Sequence, residues 1–116
     1  IAVLGDMLEI GKYTEEAHRA SGDQAAEVAN LLLTVGERAK YIADEATTRG
    51  VEARSRVLDT SHVFVFGDAL AAGQALDPMI QPGDIIFVKG SRAMHMEKVV
   101  EEIMAEPEKA DKLLVR

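Results

Sequence analysis

Lys89-Gly90-Ser91-Arg92 packs two cations, a flexible glycine and a hydroxyl into four consecutive residues. Lys and Arg so placed hold a phosphate or a carboxylate, the first as a point charge and the second through a planar fork. Ser91 serves the same anion, caps the helix that follows, or does both. Asp6, after Gly5, is a carboxylate able to reach a nucleotide, a magnesium ion or a cationic group. It can equally cap a turn or pair with Lys89. Of the three His, His18 sits in a helical pattern, where a lone His is more often a packing or surface residue than a ligand; His62 and His95 read as structural. With no Cys, disulfides, thiolate zinc sites and thiol catalysis are all excluded. No H-E-x-x-H occurs, nor any pair of carboxylates at metal-binding spacing. Lys89 does not belong to a Walker loop, which needs Gly, four residues, then Gly-Lys-Ser/Thr. Asp84 to Val88 stand before it instead, and they read as a strand. No G-x-G-x-x-G is present either, so the sequence shows no site able to bind and cleave ATP alone.

Short apolar runs alternating with helical patterns must position these groups. Ile1 to Leu4 reads as a strand stopped by Gly5-Asp6. Thr14 is placed to cap a helix running to about Ala29, with Glu15 and Glu16 at the positive end of its dipole. Leu31 to Val35 is a second strand, and a helix is expected over about Glu37 to Thr48, with Gly50 at its stop. Val51 to Thr60 reads as loop. His62 to Phe66 is a third strand, followed by a helix with Ala69, Ala72, Leu76 and Ile80 on one face. Gln81-Pro82-Gly83-Asp84 is a turn before a fourth strand, Ile85 to Val88. The last helix carries Met96, Val99, Val100 and Ile103; Pro107 closes it, and Leu113 to Val115 suits an edge strand.

Continuous apolar strands separated by helices predict a Rossmann-like three-layer αβα domain with a mostly parallel sheet. In such sheets ligands bind beyond the carboxyl ends of the strands. That rule selects Gly5 to Gly11, Gly36-Glu37, Gly67-Asp68 and Lys89 to Arg92, each directly after a strand.

The 116 residues make one domain, with 47% hydrophobic and 28% charged residues, a globular balance. Aromatics are only 4%, so the core must be aliphatic. Thirteen basic against 20 acidic residues give a net charge of −7, which repels nucleic-acid backbones and makes a local basic cluster stand out. No apolar run approaches the roughly 20 residues that span a bilayer, no signal peptide is visible, and the missing Cys fit a reducing cytoplasm. The chain opens inside a strand with no initiator Met, as expected of a domain cut from a longer chain.

Val3-Leu4-Gly5-Asp6-Met7-Leu8-Glu9-Ile10-Gly11 with Thr14-Glu15-Glu16-Ala17-His18 resembles the opening of the C-terminal domain of the MurF-type Mur ligases. These are the UDP-N-acetylmuramoyl-tripeptide–D-alanyl-D-alanine ligases. Pro82-Gly83-Asp84 and the run from Val88 to Val100 resemble the other signature of that domain. The likeness extends from Ile1 to about Met104. It implies a domain, residues 1–116, of an ATP-dependent enzyme of cytoplasmic peptidoglycan precursor synthesis. It further implies that ATP and Mg are bound mainly by an absent central domain, on which this domain closes. The partners implied are that central domain, UDP-N-acetylmuramoyl-tripeptide and D-alanyl-D-alanine. By the same resemblance Asp6 stands near the nucleotide and the amine. Lys89, Ser91 and Arg92 stand near the dipeptide carboxylate or the phosphates, and His18 matches a family position. Met7, Glu9 and Gly90 shape the same edge. No general base is identified.

Three other readings stay open on sequence. One is a Mur-ligase-like domain with another amino substrate. The second is a receiver-like phosphoacceptor domain, because Asp6, Asp68 and Lys89 imitate its layout, although a receiver wants two acids after its first strand. The third is a nucleotide-free interaction domain.

Overall fold

The structure, a computed structural model, describes residues 1–8, 11–48 and 58–104. Four strands, β1 (Ala2–Gly5), β2 (Leu32–Val35), β3 (Val63–Phe66) and β4 (Phe87–Lys89), form one sheet in the order β3-β2-β1-β4. Every pairing is parallel, with Val3 beside Leu33 on one side and Val88 on the other. The helices are α1 (Thr14–Val28), α2 (Lys40–Thr48), α3 (Ala69–Leu76) and α4 (Glu97–Ile103). This is the three-layer α/β fold expected from the sequence.

Alternation along the strands divides the core in two. Ala2 and Leu32 face α1 and α2, where they pack with Ala25, Ala26, Ala29, Ile42, Ala46 and Leu58. Val3, Leu33 and Val35 face the other way, against Ala69, Ala72, Leu76, Met96 and Val99 of the α3–α4 layer. The alanines let helix backbones approach closely, which is how a core with few aromatics reaches native packing density. Arg19 of α1 adds a surface tie to α2, reaching Asp44 at 2.6 Å while also holding Glu15. Those carboxylates push its guanidinium pKa above its already high ordinary value.

The elements depart from expectation in specific ways. The second helix starts at Lys40 rather than Glu37, because residues 36–39 turn instead. Thr14 does not cap α1: its hydroxyl donates to the Gly11 carbonyl, and a 3₁₀ turn over Gly11–Tyr13 leads straight into the helix. The third helix gives way to a 3₁₀ turn over Asp77–Met79, so Ile80 lies outside it while still packing on the core. The fourth strand is displaced towards its carboxyl end, which makes Lys89 its last residue. Only the central strands are buried on both faces; Val65 on β3 and Phe87 on β4 are half exposed. Most of Val51 to Thr60, Gly50, Pro107 and Leu113 to Val115 lie outside the described residues. Among the described residues no helix is long and apolar enough to cross a membrane.

Candidate functional site

Strands β1, β2 and β3 step across the sheet in sequence, and β4 returns to the far side of β1. The chain leaves β1 for α1 on one face, whereas it leaves β4 for α4 on the other. The loops after β1 and β4 therefore diverge at a topological switch point, where open α/β sheets bind ligands. Asp6 and Lys89-Gly90-Ser91-Arg92, 83 residues apart, become neighbours there.

Three hydrogen bonds measure that junction. The Ser91 N–H donates to the Asp6 carbonyl at 2.9 Å. The Leu8 N–H donates to the Ser91 hydroxyl oxygen at 2.7 Å. The Met7 N–H donates to Nε2 of His18 at 2.9 Å. Ser91 precedes a 3₁₀ turn over Arg92–Met94 but makes no side-chain cap to it; its hydroxyl is spent on the β1 loop instead. Gly90 is required by close approach. A Cβ there would lie 2.8 Å from Met96 Cγ and 3.2 Å from Gly5 Cα. Met96 thus plugs the space between the two strand ends, a role that its helical spacing disguised as ordinary core.

Asp6 is 4% exposed. Its Oδ1 accepts from the Ala39 N–H at 2.7 Å, and its Oδ2 lies 3.6 Å from Arg38 Nη1. The carboxylate of the β1 loop therefore caps the turn that leads into α2, satisfying the N–H of the residue just before the helix. Of the roles open on sequence, capping is the one formed, and the cation it meets is Arg38 rather than Lys89. Gly36 makes room: it sits at φ +107°, and a Cβ on it would fall 2.5 Å from Oδ1 of Asp6. The strand-end rule selected Gly36, but its part in this cap and those of Arg38 and Ala39 escaped sequence reasoning because the cap crosses from another strand's loop. The Gly-Asp / Gly-x-x-Ala pairing at neighbouring strand ends was its only trace.

His18 is fully buried, with both ring nitrogens engaged, one on Met7 N–H and the other on the Thr14 carbonyl. Met7 is part-exposed beside the junction, and Glu9 lies outside the described residues. Asp68 caps α3 through the Ala71 N–H at 2.8 Å, which gives it a structural task and removes its receiver-like appearance.

Lys89 and Arg92 are different. Both are exposed, and among the described residues neither side chain forms an ion pair or hydrogen bond. Lys89 shares its face with Phe87 and looks into a cleft of about 360 Å³ beside α1, lined also by Met7, Gln24, Gly90 and Ser91. The site thus consists of an internally bonded junction from which two cations, unpaired among the described residues, project. Chemically it can bind and orient an anion. Among the described residues of the junction no carboxylate is free to act as a base: Asp6 is spent on the Ala39 N–H. Among the described residues no group of three His, Cys, Asp or Glu could hold a metal ion. Oδ1 of Asp6 is held by the Ala39 N–H, and no cluster of acids stands with it among the described residues, so these residues do not by themselves make a magnesium site.

Comparison with known proteins agrees with this geometry. The family model described as Mur ligase, glutamate ligase domain, matches residues 1–92. A UDP-N-acetylmuramoyl-tripeptide–D-alanyl-D-alanine ligase from Bacillus subtilis is 31% identical over 106 residues, which is 90% of this chain and 21% of that protein. Another from Synechocystis is 32% identical, over 91% of this chain and 21% of the relative. The chain therefore spans about a fifth of the length of the relatives it matches. Among solved structures, a MurF ligase from Thermotoga maritima in complex with ADP superposes with TM-score 0.64 over 97% of this chain and 22% of that one, at 21% identity. A MurF from Acinetobacter baumannii gives TM-score 0.65 over 89% of this chain and 22% of its own, at 24% identity. With its two signature loops joined at the switch point and a family model matched over residues 1–92, the chain belongs to the Mur ligase family, through the domain that family calls its glutamate ligase domain.

Proposed function

We propose that residues 1–116 are the C-terminal domain of an ATP-dependent ligase. It joins D-alanyl-D-alanine to UDP-N-acetylmuramoyl-tripeptide in the cytoplasmic synthesis of peptidoglycan precursors. Relatives bearing that name share 30 to 32% identity over 85 to 91% of the chain. The observation that carries the reading is that Lys89 and Arg92, on the locked Asp6–Ser91 junction, are exposed and without an ion-pair partner among the described residues.

In the reaction the tripeptide's terminal carboxylate attacks the γ-phosphorus of ATP and ADP leaves. The dipeptide amine then attacks the acyl carbon, phosphate departs, and the amine's extra proton is lost. Both steps gather negative charge, and the acyl phosphate must be kept from water. Lys89 and Arg92 supply positive charge where a phosphate or the dipeptide carboxylate arrives. Asp6, Ser91 and Gly90 hold those cations in place. Closing this domain over the nucleotide-bearing part of the enzyme removes water and completes the site. The phosphate loop, and any magnesium, belong to that other part.

A second reading keeps the chemistry and changes the amine, since the matching family model is described by glutamate. The purified ligase containing residues 1–116 decides between them. Incubated with ATP, UDP-N-acetylmuramoyl-tripeptide and either D-alanyl-D-alanine or single amino acids, it should form the pentapeptide product only with the dipeptide. Product with a free amino acid alone would overturn the first reading in favour of the second.

A further inference from the structure

We propose that His18 is a positioning residue for the cationic rim. Its buried neutral imidazole, protonated on Nδ1, holds the Met7 N–H and so fixes the loop on which Ser91, and with it Lys89 and Arg92, are mounted. The chemistry of its two partners dictates the tautomer. The Thr14 carbonyl can only accept, so Nδ1 must carry a proton; the Met7 N–H can only donate, so Nε2 must offer a lone pair. A doubly protonated ring cannot make the second bond. The ring is fully buried and so cannot touch a substrate.

What it can do is transmit position. Asp6 is anchored by Val35 and Ala39 as well as by Ser91, whereas among the described residues Met7 and Leu8 are each held only through their N–H; the bonds from Asp6 and Leu8 end on Ser91, at its N–H and its hydroxyl. His18 supplies the middle one, from the first turns of α1. Without it the Met7 N–H loses its partner and the loop is free to turn about its two ends, which relaxes the Leu8–Ser91 bond as well. The residue after Ser91 is Arg92, and Lys89 is two before it. A helix on one face of the sheet thereby sets the aim of two cations beyond its edge.

The inference rests on the proposed function only for the identity of the anion the cations meet; its test reads hydrogen bonds, not turnover. A failed test would leave the ligase reading standing, and a failed ligase assay would leave the test standing. In the isotopically labelled chain, nitrogen NMR should show His18 with a protonated Nδ1 and an unprotonated Nε2, and a scalar coupling across the hydrogen bond from Met7 N to Nε2. The opposite tautomer, or no coupling, overturns the proposal. His18→Leu should speed exchange of the Met7 amide about tenfold, the loss of roughly one hydrogen bond, and move the amide resonances of Lys89 to Arg92. His18→Gln, whose side-chain oxygen reaches as Nε2 does, should restore both. Rim resonances that stay in place in His18→Leu, or a Gln variant no better than Leu, refute it. If His18→Leu does not fold, the wild-type coupling and the Gln variant decide.

Discussion

Replacing Asp6 by Ala should destabilise the domain by about 2–3 kcal/mol, although Asp6 occupies a position that resembles a ligand-contacting one. The cost is built from the structure. Oδ1 accepts a 2.7 Å bond from the Ala39 N–H in a buried setting. Removing a charged acceptor and orphaning that donor costs about 1.5–3 kcal/mol, in line with the ~0.5–2 kcal/mol measured for loss of helix caps. The Arg38 contact adds little, because its guanidinium is half exposed and 3.6 Å away; such pairs are worth at most about 0.5 kcal/mol. For a domain of this size a loss of 2–3 kcal/mol lowers Tm by about 10 °C. Asp6→Asn keeps an oxygen for Ala39 and gives up only the charge, so it should cost about 1 kcal/mol or less. Arg38→Ala should cost less than about 0.5 kcal/mol. Thermal and urea unfolding of the three variants, followed by far-UV circular dichroism, gives all these numbers. The reasoning is refuted if Asp6→Ala melts within about 2 °C of the wild type, or if Arg38→Ala costs as much as Asp6→Ala.

Other consequences are equally open to measurement. Thr34 is fully buried and its hydroxyl has no hydrogen-bond partner among the described residues, so Thr34→Val, of nearly equal shape, should stabilise by about 1 kcal/mol in the same unfolding assay. A Cβ on Gly22 would lie 2.3 Å from the Ile42 carbonyl oxygen, where α1 crosses α2; Gly22→Ala should cost about 1–3 kcal/mol, read as a fall in the urea midpoint. The chain by itself should release no phosphate from ATP above the buffer rate, because it carries no phosphate loop.

The fold was legible because its strands are short aliphatic runs spaced by helical patterns, and a sheet buried on both faces leaves little else that such runs can form. The meeting of Asp6 with Lys89 to Arg92 was legible for the same reason. Once strands are parallel and separated by helices, their carboxyl ends share one edge. What each side chain does there was not legible. Asp6 accepts from Ala39, 33 residues later and directly ahead of α2, and that partnership depends on β1 lying beside β2 and on Gly36 clearing the space. The same uncertainty placed the start of α2 at Glu37, because its cap comes from outside the local sequence. Ser91 looked like a helix cap, yet its hydroxyl serves the loop 83 residues upstream. His18 looked like one helical His among others until its two ring nitrogens could be followed to Met7 and Thr14. Local propensity names the elements; tertiary neighbours assign the polar atoms.

The central claim is that Lys89 and Arg92, on an internally bonded junction, stabilise charge in an amide-forming reaction while contributing nothing to folding. The direct measurement is kcat/KM with D-alanyl-D-alanine, beside Tm, for Lys89→Ala and Arg92→Ala in the ligase containing this domain. A lost charge-assisted contact of about 3 kcal/mol predicts a fall of roughly a hundredfold with Tm within about 2 °C of the wild type, as exposed side chains with no partner among the described residues require. Undiminished turnover in both variants, or melting temperatures that fall in step with activity, would contradict the account.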